Sequence, residues 1–576
     1  MDRDLATLTA QRFDLVVVGG GLHGVCTAYD AALRGLRVAL LERRDFGSGT
    51  SANSFKIIHG GVRYLQHADI YRIRESSHER TALLRVAPHL AYPLPIMVPT
   101  YGHGLQGPEV LALGLKLYDL LVVDRNRGIS DPDRRVPASK TVSREEVLAA
   151  FPTLEPRGLT GAGILTDGQI YNPPRLTLSF LRSAVGAGCV AANYVEVTGF
   201  RRSGTRVTGV EARDALTGEQ FAVEAEVVVN AAGPWAEKLL RQDGGLALTP
   251  TGTYSRDACF VVRRRLTGHA ALAVPAQTSD PDAIVSRAAR HLFLAPWRDY
   301  TLVGTWHVVH HGDPDSFVVT SRELQSFLDE VNAGCPGLDL TLNDVALWNA
   351  GLVLFGENTA GAVNLRYGKR SRVVDHSRSQ GVDGLITQIG VRLTTARGVA
   401  ERVVNLVFRK LRRPAPPCST ANRPVHGGAT GPFEAFRAGL AQRELRDQPA
   451  SVVRSLAHNY GSEVGRVLAH CRSHPRGWER LGGTHVLGGE VLHAVKEEMA
   501  LRLADVVFQR TDLGTGDDPG LPALRATAEL MGEMLDWSNE RVDSELGEVA
   551  AAYARLAPHR SQLPRLAPTA DISTAS

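Results

Sequence analysis

Phe13-Asp14-Leu15-Val16-Val17-Val18-Gly19-Gly20-Gly21-Leu22-His23-Gly24 is the stretch whose reading decides the fold. The β-branched apolar run Phe13–Val18 is too short for a helix and reads as a buried parallel strand. A helix-like segment follows at 25–34, with Ala28, Ala31 and Ala32 keeping one side small, and Gly35 stops it. Residues 37–41 are a second strand, closed by Glu42. Gly19-x-Gly21-x-x-Gly24 then has a physical purpose: Gly19 permits the tight turn, Gly21 lets backbone approach a pyrophosphate, and Gly24 lets helix and strand pack closely. The helix N-terminus offers free N–H groups and partial positive charge to phosphates. Glu42 is placed to accept hydrogen bonds from a ribose diol and would repel a 2′-phosphate, which argues against NADP. This unit alone does not choose between FAD and NAD.

Farther along the chain, two more apolar strands end in glycine, at 227–233 and 385–390. The second feeds a helix from about 394 to 409, with Val399, Val403, Leu406 and Val407 along it. Between Val261 and Leu354, short segments such as 293–295 and 300–304 predict a mostly antiparallel inserted sheet. Arg412-Arg413-Pro414-Ala415-Pro416-Pro417 marks a linker. Beyond it, apolar residues at 491, 495, 499, 503 and 507 predict one helix over 490–510, with Glu498 and Arg502 as an i,i+4 pair. Residues 521–535 and 540–556 read likewise. The expected architecture is α/β: a Rossmann-type dinucleotide domain over 1–412, discontinuous, with a β-rich substrate domain inserted at about 245–345. A linker at 413–428, a helical domain at 429–556 and a loose tail at 557–576 follow.

With 576 residues, 65 Lys+Arg against 61 Asp+Glu and 43% hydrophobic residues, the composition is that of an ordinary globular protein. It excludes disordered, collagen-like and disulfide-miniprotein classes, and the even charge gives no sign of nucleic-acid binding. Cys26, Cys189, Cys259, Cys335, Cys418 and Cys471 form no CxxC pair, so reduced thiols and a cytoplasmic location are expected. Residues 1–11 do not read as a signal peptide. No run approaches the ~18 apolar residues of a membrane span. The nearest, 110–123, is broken by Lys116 and Asp119. It reads as a partly buried helix, or alternatively as an amphipathic strip on a membrane surface. His307-Val308-Val309-His310-His311 sits among β-branched residues, so a strand would put these side chains on opposite faces, and no metal site is expected.

Ser48-Gly49-Thr50-Ser51-Ala52-Asn53-Ser54-Phe55-Lys56-Ile57-Ile58-His59-Gly60-Gly61-Val62-Arg63-Tyr64-Leu65 resembles the signature of FAD-dependent glycerol-3-phosphate dehydrogenases, within the D-amino-acid-oxidase-like flavoproteins. The likeness continues at Arg80, 87–90, 229–235, 390–395 and in the C-terminal 498–511. It implies FAD as cofactor, bound through Gly19, Gly21, Gly24, Glu42, Thr50, Ser51, Ser54, Lys56, Gly233, Gly390, Leu393 and Thr394. The helix beginning near Thr394 would then point its positive end at the flavin ring. Thr394 and Thr395 also read as plain helix caps. Alcohol oxidation needs a base for the hydroxyl proton while hydride goes to the flavin; His59 is the candidate, or else a histidine that only hydrogen-bonds FAD. The resemblance makes Arg63 and Tyr64 substrate contacts, Arg372 the match of another family arginine and Arg392 a further catalytic and substrate candidate; a guanidinium clamps phosphate or carboxylate.

The resemblance breaks in places. Ala350-Gly351-Leu352-Val353-Leu354 stands where the family has Ser-Gly-Val-Arg-Pro, so Val353 replaces a phosphate-binding arginine. Arg392 replaces a lysine, and Gly304-Thr305-Trp306-His307 replaces Gly-Thr-Thr-Asp. Arg366 or Arg370 is a candidate source of the missing charge. The leading reading is oxidation of sn-glycerol 3-phosphate to dihydroxyacetone phosphate, with electrons passed to a quinone and peripheral attachment to the inner face of the cell membrane. One alternative is a relative acting on another hydroxy acid, polyol or amine; another is a flavin-binding scaffold without turnover. A homodimer is compatible with all three.

Overall fold

The computed structural model describes residues 1–562 except 105–106, 243–245, 249–252, 279–289, 363 and 367–369. Two sheets organise it. The first, of eight strands, runs in the order Arg372–Asp375, Leu385–Ile389, Gln220–Asn230, Phe13–Val18, Val38–Leu41, Val190–Ala192, with Val195–Ser203 and Arg206–Asp214 attached beside Gln220–Asn230. Its centre is parallel: Leu15 lies level with Val227 on one side and Val38 on the other. Strand alternation sends Leu15 and Val17 to one face and Val16 and Val18 to the other. The first pair packs under the helices Leu22–Leu33, Pro173–Gly186 and Ala396–Lys410; the second meets Phe200, Val210 and Val223.

The second sheet has nine strands. Val345–Phe355, Thr253–Val262, Tyr300–His310, His291–Trp297 and Ala271–Pro275 are joined by Ala91–Tyr101, Leu159–Ile170, Ile57–Ile58 and Lys140–Val142. The substrate-side sheet is therefore not confined to an insert at 245–345. Ala91–Tyr101 pairs in parallel with Ala271–Pro275 and antiparallel with Leu159–Ile170, so one continuous sheet draws on both halves of the chain. Pro93, Pro95 and Pro99 in Ala91–Tyr101 masked that strand in the sequence, because proline speaks against a central position.

The C-terminal region is helical: Phe433–Arg443, Ala450–Tyr460, Val464–Ser473, Gly488–Glu498, Leu521–Leu535 and Asn539–Leu556. The single helix expected over 490–510 is interrupted. Gly488–Glu498 ends at Met499, which takes a left-handed φ of 54°, and the chain resumes as Leu503–Asp505 and a π-type turn Val506–Arg510. Consequently Glu498 and Arg502 do not pair. Glu498 binds Arg175 at 2.6 Å and Arg502 binds Glu548 at 3.0 Å. Burial of the carboxylate at Arg175 outweighs a surface helix pair worth only ~0.2–0.5 kcal/mol. The stretch expected to be a loose tail starts instead with a helical turn, Pro558–Gln562, whose His559 is buried against the Val345 carbonyl at 3.1 Å; residues 563–576 lie outside the described ones.

Candidate active site

The nucleotide end follows from its glycines. Gly19 has φ +107°, and a Cβ there would stand 2.8 Å from the Ala231 carbonyl oxygen. A Cβ at Gly24 would lie 1.9 Å from the Gly19 oxygen, so helix and turn touch backbone to backbone. Leu22–Leu33 begins at Gly21 without a side-chain cap, and the Leu22 N–H donates to Ser51 Oγ at 3.0 Å. At the end of the next strand, Glu42 accepts from the Gly20 N–H at 2.7 Å and the Arg44 N–H at 2.9 Å. Burial pushes its carboxyl up, against these two N–H donors.

These residues open one cavity of about 1080 Å³ that also contains Ser48, Gly49, Thr50, Ser54, Lys56, His59, Arg63, Tyr64, Gly233, Gly390, Arg392, Leu393 and Thr394. The two later glycine-ended strands thus converge on the first. Gly390 is bare for a reason: a Cβ would lie 2.1 Å from His23 Nε2. That imidazole is pushed down to about 4 by burial and stays neutral. Thr50, in the turns that follow Glu42, reaches the second sheet by donating to the Leu352 carbonyl at 3.1 Å. The cavity is long, wide and glycine-floored at the phosphate end, and the residues present fit FAD.

At the other end the signature forms a histidine–carboxylate cluster. The His59 N–H donates to Thr394 Oγ1 at 3.1 Å, and His59 Nδ1 lies 3.6 Å from Asp167 Oδ2, with the imidazole side chain 51% exposed to the cavity. Asp167 accepts from the Gly60 N–H at 2.7 Å and from the fully buried Arg80 at 3.2 Å. Burial raises its pKa, but His59 and Arg80 outweigh that and hold it low, so it stays a carboxylate. A Cβ at Gly60 would meet Arg80 Nη1 at 2.1 Å and Tyr118 Oη at 2.4 Å, which explains the glycine there. Thr394 therefore serves His59, and Thr395, at the N-cap of Ala396–Lys410, makes no side-chain cap bond; neither behaves as the plain cap that its position suggests. Lys56, with φ 62°, is buried over the Trp297 ring at 4.6 Å, and burial followed by Arg298 brings its amine down to about 8.

The predicted cations divide. Arg63 and Tyr64 line the cavity, as does Val353. Arg392 lines it too, yet its guanidinium is engaged: Nη2 binds Glu75 at 2.7 Å and Nη1 donates to Ser76 Oγ at 2.7 Å, leaving Nε buried with no hydrogen-bond partner among the described residues. Arg372 does not join the group. It sits on Arg372–Asp375, the edge strand of the first sheet, opposite Ile389 and outside the cavity lining. Arg366 and Arg370 are also outside it, Arg370 stacking on Tyr71 at 4.6 Å.

Sequence reasoning missed Asp167, whose strand lies 108 positions after His59, and it missed a second pair. His307 Nδ1 stands 2.8 Å from Asp257 Oδ1 across adjacent strands and both face the cavity with Thr305. Trp306, between them in sequence, turns to the opposite face and stacks on Phe327. Alternation along Tyr300–His310 was visible in the sequence; the partner strand supplying Asp257 was not.

A parallel nucleotide sheet, a second sheet closing over its carboxyl ends and one shared cavity define an FAD-dependent oxidoreductase. Residues 14–405 match the FAD dependent oxidoreductase family and 418–542 the C-terminal domain of alpha-glycerophosphate oxidase. The chain is 31% identical over 562 residues to a glycerol-3-phosphate dehydrogenase of Synechocystis sp., covering 94% of this chain and 97% of that one. It is 32% identical to the human mitochondrial glycerol-3-phosphate dehydrogenase, covering 94% and 74%. The crystal structure of the glycerol-3-phosphate dehydrogenase from Bacillus halodurans, complexed with FAD, superposes with a TM-score of 0.74 at 26% identity, covering 96% of each chain. The chain belongs to the FAD-dependent glycerol-3-phosphate dehydrogenase family, and its cofactor is FAD.

Proposed function

We propose that this chain oxidises sn-glycerol 3-phosphate to dihydroxyacetone phosphate. The observation that carries the reading is the His59–Asp167 pair at the cavity end that also holds Arg63 and Tyr64. FAD, when bound, supplies the acceptor for the hydride that leaves C2. His59 takes the hydroxyl proton as C2 becomes a carbonyl, and the Asp167 carboxylate stabilises the imidazolium so formed. Arg80 and the Gly60 N–H hold Asp167 in place for this. Arg63 and Arg392, both lining the cavity, supply the positive charge for the phosphate. Leu22, Thr50, Ser51 and Glu42 orient the nucleotide end. The test is anaerobic mixing of the yellow holoenzyme with glycerol 3-phosphate: the flavin band bleaches if the reading is right and persists if it is wrong.

Val353 favours a second reading, in which the substrate is a different hydroxy acid, polyol or amine, because an apolar side chain lines the cavity where the family carries an arginine. The same bleaching assay with unphosphorylated polyols, hydroxy acids and amines separates the two.

The electron acceptor in this reading is a membrane quinone. Support comes from the helix Pro108–Leu121, which buries Leu111, Leu115 and Tyr118 and exposes Leu113 (69%), Leu117 (50%) and Leu120 (71%), continued by Val123 (76%). This is the partly buried helix expected from sequence, and its outer face is a continuous apolar strip. Val110, Leu113 and Leu117 also line the mouth of the cavity, so an apolar strip leads from the surface toward the flavin end. No helix of the described residues is long and apolar enough to cross a membrane. Flotation with lipid vesicles, lost in Leu117→Glu, tests this contact.

A further inference from the structure

We infer that the C-terminal helical region holds a zinc-binding site formed by His470, His493 and Glu497. His493 and Glu497 lie one helical turn apart on Gly488–Glu498, and His470 comes from Val464–Ser473, which packs against it. His470 Nε2 is 2.9 Å and His493 Nδ1 3.6 Å from the same oxygen, Glu497 Oε1, and the three candidate ligand atoms lie within 4.8 Å of one another. Ligands about 2.0–2.1 Å from a tetrahedral zinc ion stand about 3.3–3.4 Å apart. The two observed separations bracket that spacing, the third pair stands within 4.8 Å, and zinc would replace the His470 Nε2–Glu497 Oε1 hydrogen bond.

A second, independent feature points to a ligand. His493 is 1% exposed, yet its Nδ1 has no hydrogen-bond partner among the described residues, and it faces the cluster. Its other nitrogen, Nε2, lies 3.2 Å from Glu498 Oε1, a carboxylate bound by Arg175. The Glu498 charge beside Nε2 favours the proton on that nitrogen and leaves Nδ1 to face the cluster. On the other side, Arg466 holds Glu497 Oε2 at 2.5 Å and Arg182 lies 3.5 Å from it, which orients Oε1 toward the two imidazoles. These arginines, with the Met1 amine on the Glu497 carbonyl, oppose a cation and keep affinity below that of an all-anionic cage.

Two nitrogens and one oxygen suit zinc; calcium and magnesium prefer all-oxygen sets. His470 and Glu497 retain 15% and 18% exposure, which gives an entry path and room for water as fourth ligand. The ion would tie two helices together beside Glu498, and Glu498 anchors Arg175 of the nucleotide domain. The role is structural, separate from the reaction.

The experiment uses FAD holoenzyme stripped with EDTA, desalted and titrated calorimetrically with zinc chloride. The expected result is one zinc per chain, a higher melting temperature and an unchanged flavin spectrum. His470→Ala should weaken binding by about tenfold or more, the cost typical of damage to a zinc shell. His470→Cys, which keeps a ligand, should bind, and the flavin spectrum of both variants reports folding. Absence of saturable zinc uptake by the wild type, or equal uptake by His470→Ala, overturns the proposal.

Discussion

Arg510 and Asp45, 465 residues apart, form a buried bidentate pair: Nη2 donates to Oδ1 at 2.8 Å and Nη1 to Oδ2. Asp45 lies three residues after Glu42 and also accepts from Asn193 Nδ2 at 3.0 Å. Arg510 donates again through Nε to the Glu498 carbonyl at 3.0 Å. The helical region is thus a buttress of the loop that receives the nucleotide. Arg510→Met leaves a buried carboxylate without its main partner, which costs about 3–5 kcal/mol. The variant should show a lower urea midpoint and release FAD fluorescence at lower temperature than the wild type. Lost stability with FAD affinity unchanged would show that the pair acts on the fold alone.

His59→Asn should bind FAD and stay yellow, while the rate of flavin bleaching by glycerol 3-phosphate falls by about 10²–10⁴, the usual contribution of a positioned base. Asp167→Asn removes the partner of the imidazolium and should slow the same step. It should also lower thermal stability, because Arg80 is fully buried on Asp167. Stopped-flow bleaching of both variants checks this; a His59→Asn rate within a few-fold of wild type would move the base elsewhere, with the His307–Asp257 pair next in line.

What the sequence made legible here is local. The strand Phe13–Val18, its glycine turn, the helix and Glu42 are contiguous, so period and punctuation reveal them, and the flavin-side segments at 233 and 390 carry their own glycines. The structure brings all but Gly24 of the predicted cofactor residues to one cavity, and Gly24 acts by packing. Illegible were relationships made by strand pairing. Asp167 reaches His59 because Ile57–Ile58 pairs with Leu159–Ile170, and Asp257 meets His307 through cross-strand register. Neither register is encoded within one segment. The break at Met499 was hidden for another reason: the apolar stripe of 491 to 507 persists across it, while a left-handed φ at a non-glycine residue opens a non-helical stretch that ends at the extended Arg502.

Gly24→Ala should yield colourless protein. The added Cβ falls 1.9 Å from the Gly19 oxygen, so helix and turn must separate and the cradle for the pyrophosphate opens. Absorbance of the purified variant after incubation with excess FAD is the measurement. Retention of a stoichiometric yellow chromophore would mean that the turn tolerates displacement.

Val353→Arg restores a cation to the cavity wall at the family's position. If the substrate is phosphorylated, the KM for glycerol 3-phosphate should fall by about tenfold, the equivalent of one charge-assisted hydrogen bond of about 1.5 kcal/mol. Activity on an unphosphorylated polyol should not improve. Steady-state kinetics on the two substrates decides it; a higher KM for the phosphorylated one would favour the second reading above.

Glu490 gives the stability of this protein a pH dependence of opposite sign to that of an ion-paired carboxylate. It is fully buried; one oxygen accepts from the Leu487 N–H at 2.9 Å, and the other, near the Tyr460 hydroxyl, makes no hydrogen bond of good geometry among the described residues. Burial, opposed by that N–H and reinforced by Asp512, pushes its carboxyl up to about 7. The folded state therefore prefers the protonated acid. Its contribution is fully present below the unfolded carboxyl pKa, near 4.5, and is lost as pH rises through about 7. The difference amounts to about 3 kcal/mol across that window. Glu490→Gln keeps the shape and removes the titration. Urea unfolding of wild type and variant between pH 4.5 and 8 should show the variant gaining on the wild type as pH rises, with most of the change between pH 5 and 7. A constant difference across that range would mean that Glu490 is ionised in the folded state throughout.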